Sequence, residues 1–507
     1  TDRPHPGLNA ASPFPDAMET LFGRVLRRHA MKGHAAAAMA MPGREIGYVE
    51  LLRAVESCAA WLTRRGCVAS EVVGITVADE YMHMVASLAL LVLGIPQVCL
   101  PTRDPASMRL PLAQRIPVDH AIATDLNHAL DGPETLLLTR GILDTPDGAE
   151  PVHAVDADPD APAIYFASSG TTGESKIFAL SQRALAWRAE RIAESEAISS
   201  AYRALTLVSV EDTPGKSKRL HTLYLGLTSV FGGGSPSPPV PAQELCANLD
   251  VTCLELGVLA LSSIVLDRSH QRRFPERTTV YASGSRVPLN LRQAFRTRFA
   301  KPLYVHYGAR EFGRIATTYP DGDSETVESV GMPVPWIELQ IVDGDGDALS
   351  NGNVGELRVR SECMTHEYHR DPVATARHFR HGWFYPGDLA SVSPAGALCV
   401  HGRADDMMNL NSIKIFPAEI ERVLEEHPAV RAAAAFAKSS AAHGDIPVAA
   451  VELHDSASVS VDELMARARE RLGVRAPRKI FVVEALPRSV SGKVLKRELV
   501  ALLAPGR

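Results

Sequence analysis

The stretch "YFASSGTTGESK", residues 165–176, decides how the rest of the chain is read. The run "AIYFA" (163–167) has the length and composition of a buried strand, and it feeds a loop of serine, threonine and glycine that ends on Lys176. Glycine lets the backbone turn so that successive N–H groups converge on one anion. The Thr171 and Thr172 hydroxyls add donors that also reach a metal, and Lys176 supplies a point charge. The common nucleotide loop reads G-x-x-x-x-G-K-[ST], and this one does not. An ordinary Ser/Thr/Gly turn is built from the same residues, so the loop alone names no reaction. Its setting, with a strand before it and a lysine and a helix after it, points to a phosphate cradle.

Working outward, apolar runs of strand length alternate with helical patterns over the first four hundred residues, which predicts α/β construction. "YVELLRAVESCAAWLTRRG" (48–66) reads as a helix ending in glycine, and "EVVGITVAD" (71–79) as a strand. "MVASLALLVLGIPQVCL" is broken by Gly94 and Pro96, so it reads as helix, turn and buried strand and not as a membrane span. Ser181 is placed to cap a helix with Leu185, Ala189 and Ile192 on one face. The Gly/Pro/Ser segment 232–241 reads as a surface connection. The last hundred residues differ: "PAEIERVLEEH" and "VDELMARARERL" are helical, and "VAAVELH" and "KIFVVEA" are strands. They predict a separate α+β unit, with the boundary placed between Gly402 and Arg403, giving domains 1–402 and 403–507.

Composition narrows the class. A chain of 507 residues exceeds one ordinary core, and 46% hydrophobic with 22% charged residues is globular. The net charge of -6 offers no basic footprint, which argues against a nucleic-acid partner. Seven cysteines (Cys58, Cys67, Cys99, Cys246, Cys253, Cys363, Cys399) form no C-x-x-C pair, which disfavours a disulfide framework or a zinc site and suits a reducing cytoplasm. The opening "TDRPHPGLNAASPFPDAM" lacks the charged-then-apolar layout of a signal peptide.

Six stretches in a fixed order carry a resemblance to a known family. After "YFASSGTTGESK" come "VHYGAREFG" (305–313), "GELRVRS" (355–361), "GWFYPGDLA" (382–390), "GRADDMMNLNSIKIFPAEIE" (402–421) and "LPRSVSGKVLKREL" (486–499). From about Ile46 to about Leu499 the sequence resembles the adenylate-forming superfamily of acyl- and aryl-CoA synthetases, peptide-synthetase adenylation domains and luciferases. The resemblance implies a large N-terminal α/β domain with several sheets and a small mobile C-terminal α+β domain. It also implies ATP and Mg2+ as cofactors. The implied chemistry has two halves: a carboxylate attacks the α-phosphate of ATP to give an acyl adenylate and pyrophosphate, and a thiol then displaces AMP.

Roles follow residue by residue. Ser168, Ser169, Gly170, Thr172, Gly173 and Lys176 match the phosphate loop, with Ser175 where proline is usual. Lys493 matches the lysine that bridges carboxylate and α-phosphate, and its plain alternative is a solvated lysine on a basic tail. Asp388 matches the carboxylate that grips the ribose hydroxyls, and Arg403 its partner. Tyr307 and Gly308 resemble the adenine-stacking segment, and Gly284 and Ser285 the opposite face of the base. Glu311 matches the magnesium ligand, with Thr171 as a second contact; the alternative pairs Glu311 with Arg310 or Arg314. Asp405 matches the hinge. Arg310, Val305, Pro386 and Ser412 depart from the family pattern, and Ser412 stands where a glycine admits the thiol arm.

The segment "VSVEDTPGKSKRLHTLYLG" (208–226) falls where the family sets its acid specificity. Asp212 lies near the aspartate with which amino-acid-using relatives pair an α-ammonium; the alternative is a charged loop. His306 is expected near the pocket floor, as packing or as a polar contact. The first functional expectation is an acyl-CoA synthetase that joins a small carboxylic acid to CoA. The second is a stand-alone adenylation enzyme that loads an acid or amino acid onto the phosphopantetheine of an acyl or peptidyl carrier protein. A nucleotide sensor is disfavoured, because Lys493, Glu311 and Asp388 are all present and a sensor has no use for the lysine.

Overall fold

The computed structural model describes residues 20–33, 37–144, 158–168, 175–196, 198–232, 240–267, 272–319, 329–362, 364–410, 413–440, 444–455, 457–488 and 493–503. The expected loop residues Ser169, Gly170, Thr171, Thr172 and Gly173, and also Ser412, lie outside them. Contacts divide the chain into two compact units. The first is Thr1–Ala167, Ala179–Glu190 and Val210–Ser229; the second is Ser168–Phe178, Arg191–Ser209 and Val230–Arg507. The class is mixed α/β, as the alternating runs predict.

In the first unit a parallel sheet runs in the order Glu134–Leu137, Val118–Ala123, Val72–Thr76, Gln97–Cys99, Pro162–Ser168. The strands Val72–Thr76 and Gln97–Cys99 are largely buried, while Glu134–Leu137 at the edge is partly exposed. The helix Glu80–Val92 is buried along almost its whole length, which is why its sequence is apolar all round. Gly94 then takes φ +66 and turns the chain into the strand Gln97–Cys99. Tyr48–Arg64 forms the expected helix, and the Ser181 hydroxyl accepts the Ala184 N–H at 3.1 Å at the start of Gln182–Ser195.

The segment beginning at Val208 folds differently from a charged loop. Thr213–Tyr224 is a helix that turns Lys216 and Arg219 inward, each only 1% exposed. The Lys216 ammonium donates to the Gln97 side-chain oxygen at 2.7 Å, and that oxygen also accepts from the Ser87 hydroxyl. The Arg219 guanidinium donates to the Glu80 carboxylate. Buried charge is tolerated here because each head group is held by a polar partner.

The second unit holds three sheets. Arg203–Thr206, Cys253–Gly257, Thr279–Ser283 and Leu303–Ala309 pair in parallel, and Gly313–Thr317 and Met332–Pro333 extend them antiparallel. An antiparallel sheet joins Phe379–Arg380, Trp383–Phe384, Gly355–Arg360, Asp388–Val392 and Leu398–Arg403, with Glu338–Val342 along Gly355–Arg360. Its core includes Phe312, Leu357, Val359, Phe384 and Ala390. The third sheet, Ile413–Ile415, Met408–Leu410, Gly444–Leu453 and Val430–Ser440, takes Lys479–Val483 in parallel on Gly444–Leu453. The helices Pro417–Glu425 and Val461–Leu472 appear where the sequence places them, the second capped by Ser460. The apolar clusters around Ile420, Leu464 and Phe436 use residues from Met408 onward alone. Among the described residues no helix is long and apolar enough to cross a membrane.

Glu80→Ala leaves Arg219 buried without its carboxylate and is expected to cost about 3–5 kcal/mol in urea unfolding. Asp160→Ala, which breaks the exposed Arg183–Asp160 pair, is expected to cost no more than about 1 kcal/mol in the same assay.

Candidate active site

Two adjacent strands of the second unit build the centre of the site. Asp388 opens the strand Asp388–Val392, and Arg403 closes Leu398–Arg403 directly opposite it in the antiparallel register. The guanidinium Nη1 lies 3.5 Å from Asp388 Oδ1 and donates to the Pro386 carbonyl at 2.5 Å. Gly387 between them has φ +83, and a Cβ there would stand 2.7 Å from Arg403 Nη2. The glycine of "PGD" therefore makes room for the arginine fork.

Tyr307 reaches the same carboxylate from the strand Leu303–Ala309, its hydroxyl donating to Asp388 Oδ2 at 2.5 Å. Burial pushes the Asp388 carboxyl above its usual range, while Arg403, the Tyr307 hydroxyl and Lys493 pull it back. The next residue, Gly308, lies where the register slips against the strand Gly313–Thr317. A Cβ there would meet the Gly313 carbonyl oxygen at 2.2 Å, so only glycine lets this hairpin close.

Glu311 sits in the turn of that hairpin, 8% exposed, and its Oε1 accepts from the Tyr368 hydroxyl at 2.9 Å. Of the arginines weighed as its alternative partners, Arg314 pairs with Glu196 at 2.5 Å. Lys176 is the first residue of a strand, Lys176–Ser181, so the loop leads into a strand before the helix begins. The Lys176 ammonium lies 5.3 Å from the Tyr368 ring centroid and 2.6 Å from His378 Nε2. His378 Nδ1 lies 2.8 Å from the Tyr385 carbonyl, so Nδ1 carries the proton and Nε2 accepts from the lysine. Burial lowers both the Lys176 and the His378 pKa. Glu311, Arg403, Arg377 and Asp405 form the remaining field around Lys176.

The basic tail brings Lys493 to this cluster. Its ammonium is held below the ordinary lysine value by burial first and then by Arg403, against the pull of Asp406, Asp388 and Asp405. Asp405 itself accepts from Arg403 Nε at 3.3 Å within the short turn Ala404–Asp406. Tyr307, Asp388, Arg403, Asp405, Lys176, Glu311 and Lys493 are thus brought together.

The remaining expected residues lie elsewhere. Gly284 (φ +94) and Ser285 form the turn after the strand Thr279–Ser283. His306 is buried against Tyr281, with ring centroids 4.5 Å apart, and its Nδ1 lies 3.3 Å from the Thr317 hydroxyl. Val305, the apolar departure, is buried and donates its N–H to the Thr318 hydroxyl. In the first unit Asp212 forms an ion pair with Arg103 at 2.6 Å. Sequence reasoning missed Tyr368 and His378, which lie in "EYHRDPVATARHF" with no periodic or metal-like spacing to mark them.

The AMP-binding enzyme family matches residues 26–369, and the AMP-binding enzyme C-terminal domain matches 419–493. The chain belongs to this family, the adenylate-forming superfamily. Its class is that of AMP-forming acid–thiol ligases. A 4-chlorobenzoate–CoA ligase of Arthrobacter sp is 26% identical over 501 residues, 95% of each chain. A 2-succinylbenzoate–CoA ligase of Geobacillus kaustophilus is 32% identical over 268 residues, 52% of this chain and 54% of the relative. In fold, the amide bond synthetase McbA of Marinactinospora thermotolerans superposes with a TM-score of 0.84 at 24% identity, covering 95% of this chain and all of that one.

Tyr307→Phe removes a donor from the half-buried Asp388 carboxylate. It is expected to cost about 1–3 kcal/mol of stability in urea unfolding, and to move the Asp388 titration further upward by NMR.

Proposed function

We propose that the chain couples ATP cleavage to thioester formation, activating a small carboxylic acid as its acyl adenylate and passing the acyl group to CoA. The observation that carries this reading is the convergence of Lys493, Lys176 and Arg403 with Glu311 and Asp388 in one cluster. Lys493 and Lys176 suit the phosphates of a nucleotide, Arg403 is held by Asp388 and Asp405, and the carboxylate at Asp388 suits a pair of sugar hydroxyls.

In the first half the acid's carboxylate oxygen forms a bond to the α-phosphorus while the bond to the bridging oxygen breaks. Pyrophosphate leaves with the electron pair. Lys493 neutralises charge on the attacking carboxylate and the α-phosphate together, and Lys176 with the 169–173 loop holds the departing phosphates. Asp388 grips the ribose, with Tyr307 and Arg403 fixing its orientation, and Gly284 and Ser285 lie against the base. A magnesium ion fits the donor set. It commonly takes one or two carboxylates and fills its shell with phosphate and water, and Glu311 would supply one carboxylate, with the Thr171 hydroxyl as the second expected contact. When bound, the metal screens the phosphate charge. In the second half the thiol sulfur forms a bond to the acyl carbon, the carbon–oxygen bond to AMP breaks, and the thiol proton passes to solvent.

Two finer assignments belong to this reading. The chain divides at Gly402–Arg403 with Asp405 at the turning point, supported by the self-contained apolar clusters from Met408 onward. The acid lacks an α-ammonium group: the Asp212 carboxylate already pairs with Arg103, and the acids in the names of the CoA-ligase relatives, 4-chlorobenzoate and 2-succinylbenzoate, carry no amino group.

An acid panel followed by pyrophosphate release, with and without CoA, tests the proposal. Sustained turnover only with CoA is expected; a stoichiometric burst that stalls with CoA and resumes with a phosphopantetheinylated carrier protein moves the acceptor to the carrier. Lys493→Ala is expected to abolish adenylate formation and to leave thiolysis of a supplied acyl adenylate intact. Because burial lowers the Lys493 pKa, the protonated ammonium is lost as pH rises through a value below the ordinary lysine range. Adenylate formation should therefore decline on the alkaline side earlier than a surface lysine would dictate, and equal decline of both half-reactions would contradict this role.

A further inference from the structure

The helix Pro417–Glu425 carries Glu421 and Glu425 one turn apart, so both carboxylates leave the same face. Both are buried, at 8% and 6% exposed, which is rare for glutamate unless it is paired. Each spends one oxygen on the neighbouring strand: the Ala435 N–H donates to Glu421 Oε1 at 3.0 Å and the Ala433 N–H to Glu425 Oε1 at 3.1 Å. The other oxygens face Arg286, whose Nη1 lies 2.8 Å from Glu425 Oε2 and 3.9 Å from Glu421 Oε2. Asn290, one turn of chain further on, donates its amide N–H to the Glu425 carbonyl at 3.1 Å. The Lys496 ammonium reaches Glu421 Oε1 at 2.8 Å.

These contacts join three pieces of chain that are far apart in sequence. Arg286 directly follows Gly284 and Ser285. Glu421 and Glu425 belong to the C-terminal sheet's covering helix. Lys496 opens the last helix, Lys496–Leu503, three residues after Lys493. The fold of the C-terminal segment alone does not require Arg286, since its apolar clusters are made only of residues from Met408 onward. What Arg286 adds is a fixed relation between that segment and the turn that follows the strand Thr279–Ser283.

We infer that Arg286 is a positioning residue for adenylate formation: by clasping Glu425 and Glu421, and through Glu421 the Lys496 ammonium, it sets Lys493 at the Asp388 carboxylate. This rests on the role of Lys493 given under Proposed function. Arg286 is 29% exposed, so its pair is partly screened by water and the clasp is weak enough to open and close during a catalytic cycle. A small displacement of the bridging lysine is enough to matter, because misplacement by about 1 Å costs up to about a hundredfold in rate.

The experiment compares wild type, Arg286→Ala, Arg286→Lys and Glu425→Gln in two half-reactions at saturating acid. These are ATP–pyrophosphate exchange and thiolysis of a supplied acyl adenylate by CoA. Arg286→Ala should lower the exchange kcat by about tenfold to a hundredfold, with the KM for ATP and the thiolysis rate unchanged, and Arg286→Lys should recover most of the loss. Glu425→Gln keeps an oxygen for the Ala433 N–H while removing the charge, and should fall between them. Equal loss in both half-reactions, or a raised KM for ATP at unchanged kcat, overturns the inference. A second measurement does not depend on turnover: the rate at which an amine-acylating reagent modifies Lys493, read by mass spectrometry. It should rise in Arg286→Ala and stay at the wild-type value in Arg286→Lys, and equal labelling of all three proteins overturns the inference. A wild type that exchanges pyrophosphate with no acid overturns the functional reading instead, and the labelling comparison then judges the clasp by itself.

Discussion

The site depends on a carboxylate taken out of water. Asp388 is held between a guanidinium on the adjacent strand and a phenol from a different sheet. Burial favours the protonated form of that carboxyl, and Arg403, the Tyr307 hydroxyl and Lys493 oppose it. Backbone geometry places two of these partners: Arg403 by cross-strand register and Tyr307 by a hairpin that only glycine can close. Rigid placement of this kind is what stabilising charge in a transition state demands, since groups that must first be ordered lose most of their advantage.

A second layer holds the cations apart. Lys176 and Arg403 share a field with Glu311, and the lysine leans on His378 and on the Tyr368 ring. His378 accepts from the ammonium only because its other nitrogen is committed to the Tyr385 carbonyl. Tyr368 does double duty: its ring faces the ammonium, and its hydroxyl orients Glu311. The site is thus a chain of polar contacts running from the start of one strand to the tip of a hairpin, with acidic and basic groups alternating along it.

Much of this was legible in the sequence, and the reasons for success and failure are physical. Period-two and period-three-to-four patterns placed the helix Tyr48–Arg64, the break at Gly94 and the C-terminal helices, because burial acts directly on that patterning. Asp388, Arg403, Glu311 and Lys493 stand in short sequence motifs, which is why sequence alone singles them out. Tyr368 and His378 are not singled out, since an aromatic and an imidazole ten residues apart meet only through tertiary folding. The sequence leaves a charged loop open as an alternative for Thr213–Tyr224, because the inward face of that helix carries Lys216 and Arg219 and charge normally marks a surface. Lys176 opens a strand because "KIFALS" satisfies a buried sheet position better than it extends a helix.

Lys216 carries a thermodynamic consequence of its own. Burial drags its pKa from the ordinary lysine value down to about 8. Between that value and the ordinary one, an unfolded chain would hold a proton that the folded chain has given up. By linkage, this residue's contribution to stability increases as the solution becomes more alkaline across that window, and below it the folded core must keep a charge that water would hold more readily. A buried cation held on a neutral amide therefore turns part of the folding equilibrium of the first unit into a proton-release equilibrium.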